Sequence, residues 1–152
     1  TRRSSDLSMG TKFEDVYERY RARVRNYDFL DYDSITRDTF QYDLLMLSIS
    51  DFEDVCQNDL NDREDELLMF NIDLTNREKD ILALGMVLHF IEPYVYNTDS
   101  LQNALNTKDF SLYSPANLLE KMTELMTTTE HRLKREINLY SFRNGGISSL
   151  TE

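Results

Sequence analysis

The sequence predicts an all-α helical bundle: about four main helices around a buried central helix, one of the four a long C-terminal helix, with extended arms at both ends. Three observations carry that expectation. The stretch Thr75 to Pro93 opens on a capping box and then runs apolar from Ile81 to Ile91, interrupted only by His89. Apolar residues recur at helical spacing in three further segments, and no internal repeat, heptad array or strand-type alternation stands beside them. Such a chain buries its stripes by packing helix on helix around one core.

Residues 1–10 are small and polar and are expected to form a flexible arm, with Gly10 as the break before a bundle domain over 11–142. Thr11 with Glu14 makes a capping box, after which Phe13, Val16, Tyr17, Tyr20 and Val24 share one helical face. Arg19, Arg21, Arg23 and Arg25 lie mostly off that face. They read either as a solvated surface or as a patch meeting an acidic neighbour, such as the acidic middle of another copy. After the aromatic and acidic loop Y-D-F-L-D-Y-D (27–33), Asp33 or Ser34 caps a helix to about Val55. Its apolar face is Phe40, Leu44, Leu47 and Phe52, with Leu45 and Ile49 beside them. The polar run Q-N-D-L-N-D-R-E-D-E (57–66) follows, and Leu67, Leu68, Phe70, Ile72 and Leu74 form an apolar ramp into the central helix.

In that central helix Thr75 and Glu78 supply the capping pair, hydroxyl to backbone N–H and carboxylate back. Near-uniform apolarity from Ile81 to Ile91 implies enclosure by other elements, and eleven residues rise only ~16 Å against the ~30 Å of a bilayer core. Pro93 is expected to stop or kink the helix. A short helix around Leu101–Leu105, capped by Asp99 or Ser100, and the loop K-D-F-S-L-Y (108–113) come next. Ser114-Pro115 then signals a helix start. Leu118, Met122, Leu125, Met126, Leu133, Ile137 and Tyr140 make one stripe running to about Phe142. Roughly 28 residues give a rod of ~40 Å, longer than a compact bundle needs, so one end is expected to project or to lie against something else. Asn144-Gly145-Gly146 closes it, and the extended tail 143–152 keeps Ile147 and Leu150, which suits docking on a partner.

Charge is uneven. The formal net charge is −11, with seven bases and five acids in residues 1–30, five and eighteen in 31–110, and five and five in 111–152. An acidic surface repels phosphate backbones, which argues against tight or sequence-reading DNA binding and leaves room for DNA passing without being gripped, or for a basic partner. A single cysteine, Cys56, excludes an internal disulfide, fits a reducing compartment, and reads as a buried, inert thiol. The opening T-R-R-S-S-D lacks the apolar core of a signal peptide.

Candidate chemistries fade on inspection. His89 and His131 fall in different helices without ligand spacing; His89 reads as a satisfied core residue, and Glu92, three residues on, could orient its imidazole. The acid-rich 57–66 run lacks the D-x-[DN]-x-[DN]-G frame of a calcium loop, because Arg63 stands in it and no glycine supplies the turn. Serine-hydrolase, phosphate-loop and zinc motifs do not occur. No enzyme, metal or cofactor is therefore expected. The run L-T-N-R-E-K-D-I-L-A-L-G (74–85) resembles the opening of the LuxR-type helix-turn-helix, yet M-V-L-H-F-I-E-P follows where that family has a turn and a basic recognition helix.

Three stretches together resemble the head–tail connector, or adaptor, proteins of tailed bacteriophages infecting Gram-positive bacteria. They are L-N-D-R-E-D-E-L-L-M-F-N-I-D-L-T (60–75), I-L-A-L-G-M-V-L-H-F-I-E-P (81–93) and K-D-F-S-L-Y-S-P-A-N-L-L-E-K-M-T-E-L (108–125), within a similarity over about 60–143. The resemblance implies a helical subunit that forms a twelve-fold ring beneath the portal, in the virion neck, after assembly in the host cytoplasm. Such a ring extends the DNA channel and docks a tail-side stopper or tail-completion protein. The implied partners are the portal protein and copies of itself, with no membrane. Portal contact would fall to the long helix and its tail, with Tyr140, Phe142, Arg143, Ile147 and Leu150 as candidates. A ring needs one patch to meet a different patch on the neighbour. Arg19, Arg21 and Arg23 against Asp51, Glu53, Asp54, Glu64 and Asp65 are the candidate pair. An acidic regulator-binding protein that mimics DNA charge, or a helix-turn-helix regulator, are the alternatives.

Overall fold

A computed structural model of the chain describes residues 10–25, 38–97 and 115–146. Its helices are α1 (Phe13–Val24), α2 (Asp38–Phe52), α3 (Asn76–Tyr96) and α4 (Pro115–Ser141), the last followed by a π-helical turn over Phe142–Gly146. Three two-residue strands, β1 (Thr11–Lys12), β2 (Arg63–Glu64) and β3 (Met69–Phe70), form an antiparallel sheet in the order β1-β3-β2. The molecule is the expected helical bundle, with this small sheet added. The arm over 1–9, the caps at Asp33, Ser34 and Ser114, the short helix around Leu101–Leu105 and the tail from 147 onward lie outside the described residues.

Helix α3 is central because it has almost no polar face to give to water. Ile81 through Leu88 are all buried, as are Phe90 and Ile91, and α1, α2 and α4 each pack against it. Its start is fixed by the capping box: Thr75 Oγ1 accepts the Glu78 N–H at 3.1 Å, and Glu78 Oε1 accepts the Thr75 N–H at 2.8 Å. Gly85 allows α2 to come close. A Cβ there would lie 2.1 Å from Ser48 Oγ, which itself donates to the Leu82 carbonyl at 2.7 Å. Of the two outcomes expected of Pro93, it does not stop the helix, which runs on to Tyr96. It costs one backbone hydrogen bond in the last turn, where Asn97 N–H still reaches the Pro93 carbonyl at 2.8 Å and the Tyr94 ring stands edge-on to Phe90 at 5.5 Å.

The capping box expected at Thr11 and Glu14 is not formed. Thr11 lies in β1, paired with Phe70, and its hydroxyl donates to the Ile72 carbonyl at 3.0 Å and accepts the Leu74 N–H at 2.9 Å. That long-range use competes with capping, and α1 starts two residues later from Lys12, which makes no side-chain cap. Phe13 N–H, unsatisfied within the helix, is taken by the Leu68 carbonyl at 2.9 Å. Gly10, with φ 101°, turns the chain so that its N–H meets Asp73 Oδ1 at 2.8 Å.

The apolar stripes otherwise follow the helical period. All five expected core positions of α1 are buried. Helix α2 buries Gln41, Leu44, Leu45, Ser48, Ile49 and Phe52, whereas Leu47, expected on that face, points outward and is 49% exposed. Helix α4 buries Leu118, Met122, Met126, Thr129, Leu133 and Tyr140. Because that series runs from its first turn to its last, α4 packs along nearly its whole length, and neither end is a free projecting rod. The apolar ramp is also split: Phe70 and Leu74 are buried, while Leu67 and Leu68 are exposed on the β2–β3 turn.

Candidate functional site

The end of α4 is fastened to the beginning of α3 by one buried carboxylate. Tyr140 is 3% exposed, its ring edge-on to Phe52 with centroids 5.1 Å apart. Its hydroxyl donates to Glu78 Oε2 at 2.6 Å and accepts the Gln57 N–H at 2.8 Å. Glu78 Oε1 also accepts from Asn58 Nδ2 at 2.8 Å, and Cys56 Sγ donates weakly to Oε2 at 3.5 Å. On the far side Asn144 Nδ2 donates to the Tyr140 carbonyl at 2.8 Å, while Gln57 Nε2 donates to the Asn144 carbonyl. Three segments distant in sequence thus converge: the turn after α2, the cap of α3 and the last turn of α4.

Glu78 is only 2% exposed. Burial alone would raise its carboxyl, but hydrogen bonds from Tyr140, Thr75, Asn58 and Cys56 outweigh that and hold it below the usual carboxylate range. The positive end of the α3 dipole acts in the same direction. Burial, with the neighbouring Glu78 charge adding to it, pushes the Cys56 thiol up to about 11, and burial with the hydrogen bond to Glu78 raises the Tyr140 phenol. A thiol so held is almost wholly protonated at neutral pH and is a poor nucleophile. Both carboxylate oxygens are already occupied. The cluster is therefore a latch between the end of α4, the turn after α2 and the start of α3.

His89 departs from expectation: it is half-buried beside α2, not in the core. Its Nδ1 lies 2.8 Å from Glu92 and its Nε2 meets Asp51, so neither nitrogen is left for a nucleophile. Among the described residues no three His, Cys, Asp or Glu side chains converge as a cation site requires, and no helix is long and apolar enough to cross a membrane.

The residues expected at assembly surfaces divide. Tyr140 faces its own core, so it is a positioning residue for α4 and not part of an outer surface. Phe142, 49% exposed, and Arg143 lie on the outside immediately beyond it; Ile147 and Leu150 lie outside the described residues. Arg19 pairs with Asp80 at 2.7 Å and with Asn76 at 3.1 Å, and Arg21 with Glu14 and with Gln41 at 3.0 Å, all within the chain. Arg23 is half-buried. Of the acids, Asp51 serves His89, Glu53 accepts from Asn61 at 3.0 Å, and Asp65 pairs with Arg63 at 2.8 Å; Asp54 and Glu64 are exposed. The arginines expected to reach a neighbour are thus largely engaged at home, because α1 packs its flanks against α2 and the start of α3.

No known family, characterised protein or solved structure matches the chain. Two surface grooves went unsignalled in the sequence. One, of about 580 Å³, is lined by Tyr17, Tyr42, Leu67, Leu68 and Met69 among others. The second, of about 610 Å³, runs along the end of α4 over Lys134, Arg135, Leu139 and Phe142. The latch was half visible: Glu78 was legible as a capping residue, but nothing local marks it as the acceptor for a tyrosine 62 residues on.

Proposed function

We propose that this chain works by assembly, as a head–tail connector subunit of the kind found in tailed phages of Gram-positive bacteria. In that role it forms a ring with its own copies under the portal, in the virion neck. The ring extends the channel through which DNA passes and presents its far side to a stopper or tail-completion protein. The observation that carries this reading is the latch. Tyr140 and Glu78 fix the end of α4, and the next residues along the chain, Ser141, Phe142 and Arg143, are exposed. An end segment that grips a partner gains from a fixed root, since each residue ordered on binding costs about 1–2 kcal/mol of backbone entropy. The acidic middle supports the same role, because a channel wall poor in phosphate contacts lets DNA slide.

A second reading, a small acidic protein that captures a basic regulator in place of DNA, draws on exposed Asp54, Glu64 and Glu66. The helix-turn-helix alternative gains no support from α3, whose Ile81–Leu88 segment is enclosed. Co-sedimentation with portal rings separates them. The connector reading expects the chain to pellet with portals, and Phe142→Ala with Arg143→Glu to weaken that binding while leaving the fold intact. A chain that ignores portals but competes with DNA for a basic protein favours the second reading.

A further inference from the structure

We propose that copies of this chain join head to tail, the basic outer face at the end of α4 docking into the groove beside the acidic β2–β3 turn of the next copy. The inference deepens the assembly reading in naming the self-contact, and it needs no portal.

The groove side is built to be seen. Leu67 is 69% and Leu68 44% exposed, and Leu68 holds φ 54°, a left-handed conformation unfavourable for any L-residue and unusual for leucine. The turn is pinned in that shape: Leu68 N–H bonds the Asp65 carbonyl at 3.2 Å, and the Leu68 carbonyl receives Phe13 N–H at 2.9 Å. Folding therefore accepts a strained backbone that displays two leucines to water. With Tyr17, Tyr42 and Met69 they wall a groove of about 580 Å³, a size that takes a few side chains. The charged side chains lining it are Glu14, Asp43 and Lys12. Acids are denser on the adjoining β2–β3 turn, where Glu64 and Glu66 are exposed and make no ion pair among the described residues.

The complementary face is on α4. Leu139 and Phe142 are 38% and 49% exposed, and Lys134 and Arg135 beside them are exposed and unpaired among the described residues. Residues 131–143 carry four Lys or Arg and one acid, whereas 51–66 carry eight acids and one arginine. In a chain of net charge −11, copies repel one another unless such patches meet. An apolar knob with a basic rim thus matches an apolar groove beside an acidic turn. The two faces share no lining residue, so the contact is heterologous and propagates into a ring or a filament. It takes the place of a pairing through Arg19 and Arg21, which are occupied within the chain.

The test is sedimentation velocity on the full chain at low salt and concentrations up to about 1 mM, where even weak contacts register. Wild type is expected to self-associate, less so as salt rises. Leu139→Asp with Phe142→Asp removes the knob, and Leu67→Asp with Leu68→Gly removes the groove wall. Each double variant alone is expected to stay monomeric. An equimolar mixture is expected to give a one-to-one dimer, because the intact groove of the first meets the intact knob of the second. Leu68→Gly also relieves the left-handed strain, so its melting temperature should not fall. Should an apolar pair fail to fold, charge variants serve instead. Lys134→Glu with Arg135→Glu is expected to weaken association about tenfold, and Glu64→Lys with Glu66→Lys on the partner to restore it. A wild type monomeric throughout, variants that associate like wild type, or charge reversals without rescue would overturn the contact. Loss of portal binding with self-association intact would count against the connector reading alone.

Discussion

Glu78 ties together distant parts of the chain, because it receives donors from Thr75, Asn58, Cys56 and Tyr140 at once. Tyr140→Phe strands the Gln57 N–H and removes the shortest donor to the carboxylate, and is expected to cost about 1–3 kcal/mol in urea unfolding. Glu78→Gln should cost a similar amount, and a double-mutant cycle between them should show strong coupling. The same cluster shapes the pH profile. Glu78 titrates below the ordinary range in the folded chain, so its stabilisation is present above the unfolded carboxylate value of about 4.3 and is lost as pH falls through the lowered folded value. Cys56 and Tyr140 are raised, so the unfolded chain releases protons first and stability declines as pH climbs past their unfolded values of about 8.5 and 10. Stability should therefore plateau near neutrality, and Tyr140→Phe should make both limbs shallower. At Gly85 a methyl group would strike Ser48 and displace its bond to Leu82, so Gly85→Ala is expected to cost about 1–3 kcal/mol despite its better helix propensity.

Helices declare themselves in sequence when burial is one-sided and periodic, as α1 shows with all five apolar positions legible in advance. The capping box at Thr75 was legible for the same reason: its partners lie three residues apart. What was hidden depends on distant residues. Thr11 carries the same local signature as Thr75, but the 72–74 segment claims its hydroxyl, and two-residue strands are too short to show a period of two. Leu67 and Leu68 read as core by hydropathy, and only the left-handed turn at Leu68 puts them outside. In α2 the buried series 41, 44, 45, 48, 49 and 52 leaves Leu47 off the stripe. Leu45→Ala, at 0% exposure, is accordingly expected to cost about 2–5 kcal/mol in chemical denaturation, and Leu47→Ala under about 0.5 kcal/mol. Equal losses would mean that the register of α2 differs from the one described.

Taken whole, the molecule encloses one polar cluster beside its apolar core and leaves several large apolar side chains on its surface. The Glu78 carboxylate, the Tyr140 phenol and the half-buried Cys56 thiol bond one another and nearby amide groups, while Leu67, Leu68, Leu139 and Phe142 are left to water. That distribution suits a part that is completed by its neighbours, since exposed apolar patches with charged rims mark interaction surfaces. Mass photometry of portal rings mixed with the 18.0 kDa chain tests this most directly. The expected result is a single upward step in mass, equal to one complete ring of chains and without partly filled intermediates at saturation. A portal mass that does not change at any concentration of the chain would contradict it.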